Sequence, residues 1–341
     1  MTPHQLLLQN YLSDHWLERP CAKILSFERL NAGWESDLYS FALESGLPGE
    51  LRTEDLILRI FPGEGAPAKA GHEFHSMQQL RTAGYPVPVV QLLEISDAVF
   101  GHPFMIMDRV PGQELWSQFS RLPREQVAAL LSRFCGLVAR LHALDWQLFQ
   151  VPLDGYSPPD PFYFIDRWIR MARQVIAQVP ETGFLPVVEW VADRRDRLAC
   201  EYPSPIHGDF HPNNVILRPD GEMLVIDWTN FNLDDARFDL AWTLLLTYSY
   251  EGQEAHDFIL SEYARHFGKP VKEIDVFEVC ACARRLYDVS MSISRGAASM
   301  GMRPEAAETM RQQMPVHRRV YDLLVAHTGL RIEPLKRFLG V

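Results

Sequence analysis

The chain has 341 residues, so it could hold two domains or one two-lobed unit, and its 47% of apolar residues are ample for a sizeable core. Its formal net charge of −11 argues against general nucleic-acid binding. Its five cysteines are odd in number and scattered, which argues against a disulfide framework. The first residues lack the pattern of a secretory signal, and no apolar run is long enough to span a bilayer. We therefore expect a cytoplasmic protein with neither nucleic-acid nor membrane partners.

The first third of the chain predicts a short helix, then a mostly antiparallel sheet into which one helix is inserted. Residues 1–20 have leucines on one side of a short helix, and a turn containing Gly33 separates the first two predicted strands. A helix is predicted over 70–81. Pro86 and Pro88 should keep it from continuing, because proline disfavours helix at the residue before it. Apolar, β-branched runs predict strands at 24–27, 38–43, 56–61, 89–95 and 103–107.

The rest of the chain predicts mainly helices. Apolar residues recur every three and four positions along 123–144, which is typical of one buried helix face. The proline-rich stretch 150–161 predicts a loop. Further helices are predicted at 162–170, 236–264, 272–296 and 304–328.

The stretch 206–228 carries most of the chemical information. Two short apolar runs flank the Pro-Asp-Gly turn at 219–221, which predicts a β-hairpin. A hairpin brings its outer ends together, so Asp209 and Asn214 at one end should meet Asp227 at the other. Carboxylate and amide oxygens at one point suit a hard cation such as Mg²⁺ and the phosphates that it carries.

This stretch resembles the catalytic loop and metal-binding segment of the protein-kinase-like superfamily. Within that superfamily it is most similar to the aminoglycoside phosphotransferase and choline kinase branch. The pattern His-Gly-Asp-x-x-x-x-Asn is matched in full over 207–214, an Ile-Asp pair follows at 226–227, and Asp239-Leu-Ala stands further on. The resemblance implies an α+β, protein-kinase-like bilobal fold. A small antiparallel-sheet N-lobe would cover 1–108, and a larger, mainly helical C-lobe would cover 109–341.

The resemblance also implies a reaction, the Mg²⁺-dependent transfer of the γ-phosphoryl group of ATP, or of GTP, to a hydroxyl. Asp209 would orient the acceptor hydroxyl and take its proton, and Asn214 and Asp227 would hold the metal. His207 and Asp239 would support the loop through hydrogen bonds. The acceptor would be a small molecule, namely an antibiotic, an amino alcohol, a sugar or a similar metabolite.

Five residues are implied as nucleotide contacts by the same resemblance. Ser36 lies in the loop that covers the nucleotide, and the main-chain groups of Asp108 and Val110 would contact the adenine. Arg59 stands where the family usually has the lysine that binds the phosphates. A cation within an apolar strand needs a partner or a ligand, and Glu73 in the following helix is the expected partner. Arginine keeps the charge of lysine but is bulkier and forked.

A protein acceptor is disfavoured on three grounds. Only residues 228–238 separate Asp227 from Asp239, so there is no room for a long activation segment. No Ala-Pro-Glu follows, and the Gly-rich phosphate loop of protein kinases is missing.

Two alternative functions stay open at this point. The chain could be a pseudokinase that binds nucleotide without catalysis. It could also be a metal-dependent hydrolase, because His207, Asp209 and His211 are spaced as transition-metal ligands on a strand would be. No further ligands at informative spacings support the second alternative. Aromatic and acidic residues that could line a pocket or simply pack together lie at Tyr156, Phe162, Tyr163, Phe164, Asp166 and Trp168.

Overall fold

The computed structural model describes the chain except residues 1, 17, 31–35, 48, 152, 154, 155, 157–159, 301, 303 and 304. Its helices are α1 (Pro3–His15), α2 (Ala66–Thr82), α3 (Trp116–Phe119), α4 (Arg124–His142), α5 (Tyr163–Ala177), α6 (Leu185–Ala192), α7 (Ala236–Glu251), α8 (Gln253–Phe267), α9 (Ile274–Arg295), α10 (Glu305–Gln312), α11 (Met314–Thr328) and α12 (Glu333–Leu339). Its strands are β1 (Lys23–Leu30), β2 (Asp37–Ser45), β3 (Arg52–Ile60), β4 (Val90–Glu94), β5 (Phe104–Asp108), β6 (Gln113–Glu114), β7 (Ser204–Ile206), β8 (Val215–Leu217), β9 (Met223–Val225) and β10 (Asn232–Asp234).

The chain divides into two compact units. The first unit contains Met1–Glu114 and Val215–Thr229, and the second contains Leu115–Asn214 and Asn230–Val341. The predicted hairpin is present, because β8 pairs antiparallel with β9 and Gly221 has a φ of 86° in the turn. The lobe limits predicted at residues 108 and 109 stay a prediction.

The first unit is built on a five-stranded antiparallel sheet with the order β1-β2-β3-β5-β4. Apolar side chains on one face pack with α1. Because successive residues of a strand point to opposite faces, Leu58 and Ile60 of β3 enter this core while Arg59 faces the other side. The buried face of α2 contains Glu73 among small and apolar residues. The sheet therefore places the charged groups of β3 and α2 opposite each other.

The second unit is mainly helical. Its core packs side chains of α5, α6, α7, α9, α11 and α12 together. Cys280 and Cys282 are buried residues of α9, and all five cysteines of the chain are free thiols, as the scattered spacing predicted. Strand β7 comes directly before the stretch 207–231 and β10 directly after it, and the two strands pair antiparallel. Among the helices that are described, none is both long and apolar enough to cross a membrane.

Three of the helix predictions were wrong in their limits. The helix predicted over 236–264 is two helices, because Gly252 adopts a φ of 88° and a ψ of −171° that no helix allows. The helix predicted over 304–328 is also two, since Pro315 begins α11 and cannot continue a preceding helix. The helix predicted over 162–170 continues to Ala177.

Candidate active site

Arg59 is the centre of a buried charged cluster in the first unit. Its guanidinium group donates from Nη1 to Glu73 Oε1 over 2.9 Å and from Nη2 to Asp227 Oδ1 over 3.0 Å. Only 8% of the Arg59 side chain and 1% of the Glu73 side chain are exposed. The expected Arg59–Glu73 ion pair is therefore confirmed, while the contact of Arg59 with phosphates stays a prediction.

Thr229 completes this cluster. Its hydroxyl accepts from Arg59 Nη2 over 2.8 Å and lies 3.1 Å from Glu73 Oε2 and 3.2 Å from Asp227 Oδ1. The hydroxyl has one proton, so it donates to one carboxylate at a time. Asp227 has a φ of 66°, an uncommon conformation for a residue with a side chain and a frequent mark of functional sites. The fork of Arg59 thus fixes an acid from α2 and an acid after β9 at the same time.

Burial dominates the ionisation of Glu73. It raises the pKa of Glu73 from 4.5 to about 7, with the charge of Arg59 acting against the rise and the charge of Asp227 adding to it. Glu73 is therefore the group of this cluster that titrates near neutral pH.

Replacing Glu73 by glutamine should change how stability depends on pH. Because the folded pKa is raised, the folded protein binds this proton more tightly than the unfolded chain between pH 4.5 and about 7. The contribution of Glu73 to the free energy of unfolding therefore falls as pH rises through that window, and is constant above it. The free energy of unfolding of the wild type minus that of Glu73→Gln should therefore fall by on the order of a few kcal/mol as the pH rises from 4.5 to about 7.

Urea unfolding at several pH values across this window measures that difference. Glu254→Gln on the exposed surface of α8 is the matched control. If the difference in unfolding free energy between the wild type and Glu73→Gln changes with pH no more than the difference for the control, the raised pKa of Glu73 is contradicted.

The remaining predicted nucleotide contacts also lie in the first unit. Ser36 is buried immediately before β2, whereas the loop predicted to cover the nucleotide, with Gly33, lies in the part of the chain that is not described. Asp108 ends β5, and its Oδ1 accepts from Gln91 Nε2 over 2.7 Å. Val110 follows two residues later and is half-buried. Their contacts with a nucleotide stay predictions.

In the second unit, one face of α7 contacts the loop at four consecutive residues, 207–210. Asp239 accepts from the backbone N–H groups of His207 and Gly208, each over 2.9 Å. Trp242 Nε1 donates to Asp209 Oδ1 over 2.6 Å. The Thr243 hydroxyl donates to the carbonyl of Phe210 over 2.7 Å. Positions 239, 242 and 243 share one helix face, so α7 fixes both the backbone of the loop and its acid.

His207 and Asp239 have the supporting roles that were expected. His207 is fully buried, and its Nδ1 accepts from the backbone N–H of Asp209 over 3.3 Å. His142 of α4, also fully buried, lies between Asp239 Oδ2 at 3.1 Å and Tyr263 Oη at 2.8 Å. Burial opposes the ionisation of Asp239, but His142 and His207 outweigh it and keep the pKa of this carboxyl below its usual value.

Gly208 is required by a close approach. It has a φ of 78°, and a Cβ atom there would lie 2.8 Å from the carbonyl oxygen of Asn230. No other residue fits this position without moving the backbone.

Asp209 is ionised and partly accessible. About a third of its side chain, 32%, is exposed, and its Oδ2 lies 3.5 Å from His211 Nε2. Burial alone would raise its pKa, but the nearby ring of His211, the hydrogen bond from Trp242 and the charge of Arg284 hold the pKa well below the usual range. A carboxylate that is fixed, charged and accessible can accept a proton from a bound hydroxyl.

The amide of Asn214 is oriented with its oxygen away from the loop. Its Nδ2 donates to the carbonyl of Asp209 over 2.9 Å, and no residue in the described ranges donates to its Oδ1. Asn214 thus offers a carbonyl oxygen and Asp227 a carboxylate with 42% of its side chain exposed. One amide oxygen and one carboxylate are ligands that Mg²⁺ prefers. The residues fit the implied metal, and the expected meeting of Asn214 with Asp227 stays a prediction.

The metallohydrolase alternative has no support in the geometry. His207 is buried, its Nδ1 is engaged by the loop backbone, and its ring packs against Phe210. Among the residues that are described, no group of three or more His, Cys, Asp or Glu side chains could hold a metal ion.

The aromatic cluster at 156–168 packs together. Tyr156 lies 5.1 Å from Tyr163 and 6.0 Å from Phe164, measured between ring centroids. Asp166 forms a two-bond ion pair with Arg195. These contacts favour the structural interpretation over a pocket.

Four residues that contact the cluster or the loop were not predicted, namely Thr229, Trp242, Thr243 and Arg284. A signal exists for two of them, because Trp242 and Thr243 stand three and four residues after Asp239 on a predicted helix. Thr229 and Arg284 are joined to the site only by the fold.

Comparisons with known proteins agree with this geometry. The model of the phosphotransferase enzyme family matches residues 26–273, more than half of the chain. Acyl-CoA dehydrogenase family member 10 from mouse is 28% identical over 216 residues, which cover 58% of this chain and 19% of that protein. Member 11 from chicken is 29% identical over 182 residues, which cover 51% of this chain and 22% of that protein. The alignments thus span about a fifth of the length of these curated relatives.

Three solved structures with a similar fold are named as phosphotransferases or kinases. A candidate aminoglycoside phosphotransferase from Ralstonia eutropha has a TM-score of 0.67 at 18% identity, covering 94% of this chain and 98% of its own. The choline kinase LicA from Streptococcus pneumoniae has a TM-score of 0.58 at 16% identity, covering 95% and 100%. A ternary complex of aminoglycoside phosphotransferase APH(4)-Ia with AMP-PNP and hygromycin B has a TM-score of 0.57 at 17% identity, covering 95% and 99%. The predicted kinase-like α+β fold is confirmed.

Proposed function

Because the chain belongs to the phosphotransferase enzyme family, we propose that it transfers the γ-phosphoryl group of ATP, or of GTP, to a hydroxyl of a small molecule. The observation that carries this proposal is the placement of the Asp209 carboxylate. It is held ionised by its neighbours, and it is fixed by α7 on a loop whose backbone is anchored at each residue from His207 to Phe210.

In the proposed reaction the acceptor oxygen attacks the γ-phosphorus while Asp209 accepts the hydroxyl proton. The bond between the γ-phosphorus and the bridging oxygen breaks, and the nucleoside diphosphate leaves with the electron pair. Arg59 would bind phosphate oxygens of the nucleotide, and Glu73 and Thr229 would hold the guanidinium in place. Positioning and charge neutralisation carry most of the catalysis in such transfers.

Asn214 and Asp227 would hold Mg²⁺, which when bound neutralises charge on the transferred phosphates. In this proposal Ser36, Asp108 and Val110 contribute nucleotide contacts. The AMP-PNP complex of APH(4)-Ia and an AMP complex of LicA support a nucleotide as the phosphoryl donor.

The experiment is a screen for acceptor-dependent release of ADP by the purified protein with Mg²⁺ and ATP or GTP. The panel should contain aminoglycosides, a macrolide, choline and sugars. It should also contain hydroxyacyl thioesters of coenzyme A, because the curated relatives are named for acyl-CoA. A phosphorylated product confirmed by mass spectrometry is the expected result. Nucleotide binding without transfer to any acceptor would favour the pseudokinase alternative.

Replacing Asp227 by asparagine tests whether Asp227 binds Mg²⁺. The variant loses a charge but keeps an oxygen that can accept from Arg59, so the cluster should persist. We expect the affinity for ATP to fall in the presence of Mg²⁺ and to change little in its absence. Calorimetric titration with and without Mg²⁺ measures this, and equal losses in both conditions would show that Asp227 does not act through the metal.

A further inference from the structure

We propose that Trp242 and Arg284 act together as positioning residues for Asp209, and that they direct its Oδ2 atom, rather than Oδ1, at the acceptor hydroxyl. The inference rests on the proposed function. All of its contacts lie within the second unit.

Trp242 fixes one oxygen of the carboxylate. Its indole N–H can only donate, so the 2.6 Å contact commits Asp209 Oδ1 as an acceptor. Only 5% of Trp242 is exposed, and its ring is part of the core of the second unit. The donor therefore stands on a rigid support, and it is aimed at the carboxylate before any substrate arrives.

Arg284 acts on the same loop from α9. Its guanidinium carbon lies 4.1 Å from the centroid of the Trp242 ring, within the range of a cation–π contact. Its Nη1 donates to the carbonyl of Gly208 over 2.9 Å. That carbonyl belongs to the peptide group that joins Gly208 to Asp209. Arg284 thus holds both the tryptophan that orients Asp209 and the peptide plane from which Asp209 extends.

The second oxygen of the carboxylate, Oδ2, is the one that can accept from the acceptor hydroxyl. In the part of the chain that the structure describes, the polar neighbour of Asp209 Oδ2 is His211 Nε2 at 3.5 Å, beyond the length of a good hydrogen bond. The groups that act on the carboxylate come from three elements, namely His211 of the loop, Trp242 of α7 and Arg284 of α9. With Oδ1 bound to the indole, an acceptor hydroxyl that donates to Oδ2 meets an oxygen whose direction is already set.

The first test is Trp242→Phe with Trp190→Phe as the matched control. Trp190 packs against the same core and also carries a stacked arginine, Arg194 at 3.7 Å, but forms no hydrogen bond to the catalytic loop among the described residues. Loss of a hydrogen bond to a charged group should lower kcat by about 10- to 100-fold in Trp242→Phe. The KM for ATP should stay within about twofold, since the nucleotide contacts are unchanged.

A purely structural role predicts a different pattern. The two tryptophan variants would then lower the melting temperature and kcat to similar extents. A kcat of Trp242→Phe equal to that of Trp190→Phe would overturn the proposal.

Arg284 supplies a variant that spares the core, because 44% of its side chain is exposed. Arg284→Met should lower kcat with little change in melting temperature, and Arg284→Lys should recover part of the loss because it keeps the cation over the indole. The double variant Trp242→Phe with Arg284→Met should lose less than the product of the single losses, since both act through Asp209. Independent, multiplicative losses would contradict a joint role.

A nuclear magnetic resonance measurement separates this inference from the proposed function. The indole N–H resonance of Trp242, identified by its absence in Trp242→Phe, should lie downfield and should move upfield in Asp209→Asn. It should also move in Arg284→Met. If the wild type transfers phosphate to no acceptor, the proposed function fails while this result still tests the contact. If the chemical shift of the Trp242 indole N–H is the same in the wild type, in Asp209→Asn and in Arg284→Met, the inference is overturned, regardless of the measured activity.

Discussion

Asp209→Asn should lower phosphoryl transfer by about 10²- to 10⁴-fold, the usual contribution of a positioned general base. Asparagine has the shape of aspartate, and its Oδ1 can still accept from Trp242 Nε1. The loop should therefore keep its conformation, because Asp239 and Thr243 anchor the backbone on either side. The affinity for ATP should change by less than about twofold, since Asp209 is assigned to the acceptor.

Steady-state turnover and calorimetric binding of ATP measure the two effects separately. Asp220→Asn is the matched control, because Asp220 lies in the exposed hairpin turn and uses Oδ1 to accept from the backbone N–H of Glu222. Asp209→Ala should lose turnover to a similar extent. Wild-type turnover in either Asp209 variant would show that another group takes the proton.

The sequence predicted the site where residues near each other in the chain carry it. His207, Asp209 and Asn214 lie within one short loop, and their spacing is specific enough to indicate a phosphotransferase. The Arg59–Glu73 pair followed from a simple physical conflict, a cation within an apolar strand, together with the family resemblance. Local pattern and charge therefore sufficed to single out the loop 207–214 and the Arg59–Glu73 pair.

What the sequence did not predict depends on distances that only the fold creates. Thr229 reaches Glu73 across 156 positions of the chain, and Arg284 reaches Gly208 across 76. The same limit applies to the helix breaks. The prediction carried one helix through Gly252, and the backbone angles of that glycine separate α7 from α8. Periodicity detects a buried face, but it does not detect where the face changes direction.

Arg59→Met should have the second-largest effect. The substitution removes the cation that Glu73 and Asp227 share and leaves a buried carboxyl without its ion pair. Breaking a buried pair in this way costs about 3–5 kcal/mol, part of which Glu73 avoids by binding a proton. We expect kcat/KM for ATP to fall by at least about 10²-fold, the scale for loss of a charged donor to phosphate oxygens.

A double variant separates the two roles of Arg59. If its only task were to neutralise Glu73, then Arg59→Met combined with Glu73→Gln would recover both stability and activity. If it also binds phosphates, the double variant should regain stability in urea unfolding and remain defective in ATP binding. Wild-type ATP affinity in the double variant would remove Arg59 from the phosphate site.

Arg59→Lys asks whether charge or shape matters at this position. The arginine uses Nη1 for Glu73 and Nη2 for Asp227 and Thr229, so one planar group spans both acids. A lysine ammonium is a single point that cannot occupy the positions of both terminal nitrogens. Arg59→Lys should therefore recover the stability lost in Arg59→Met more completely than the activity, and its KM for ATP should stay raised. Full recovery of the KM would mean that the site needs only a positive charge, and that the fork observed between Glu73 and Asp227 has no part in binding nucleotide.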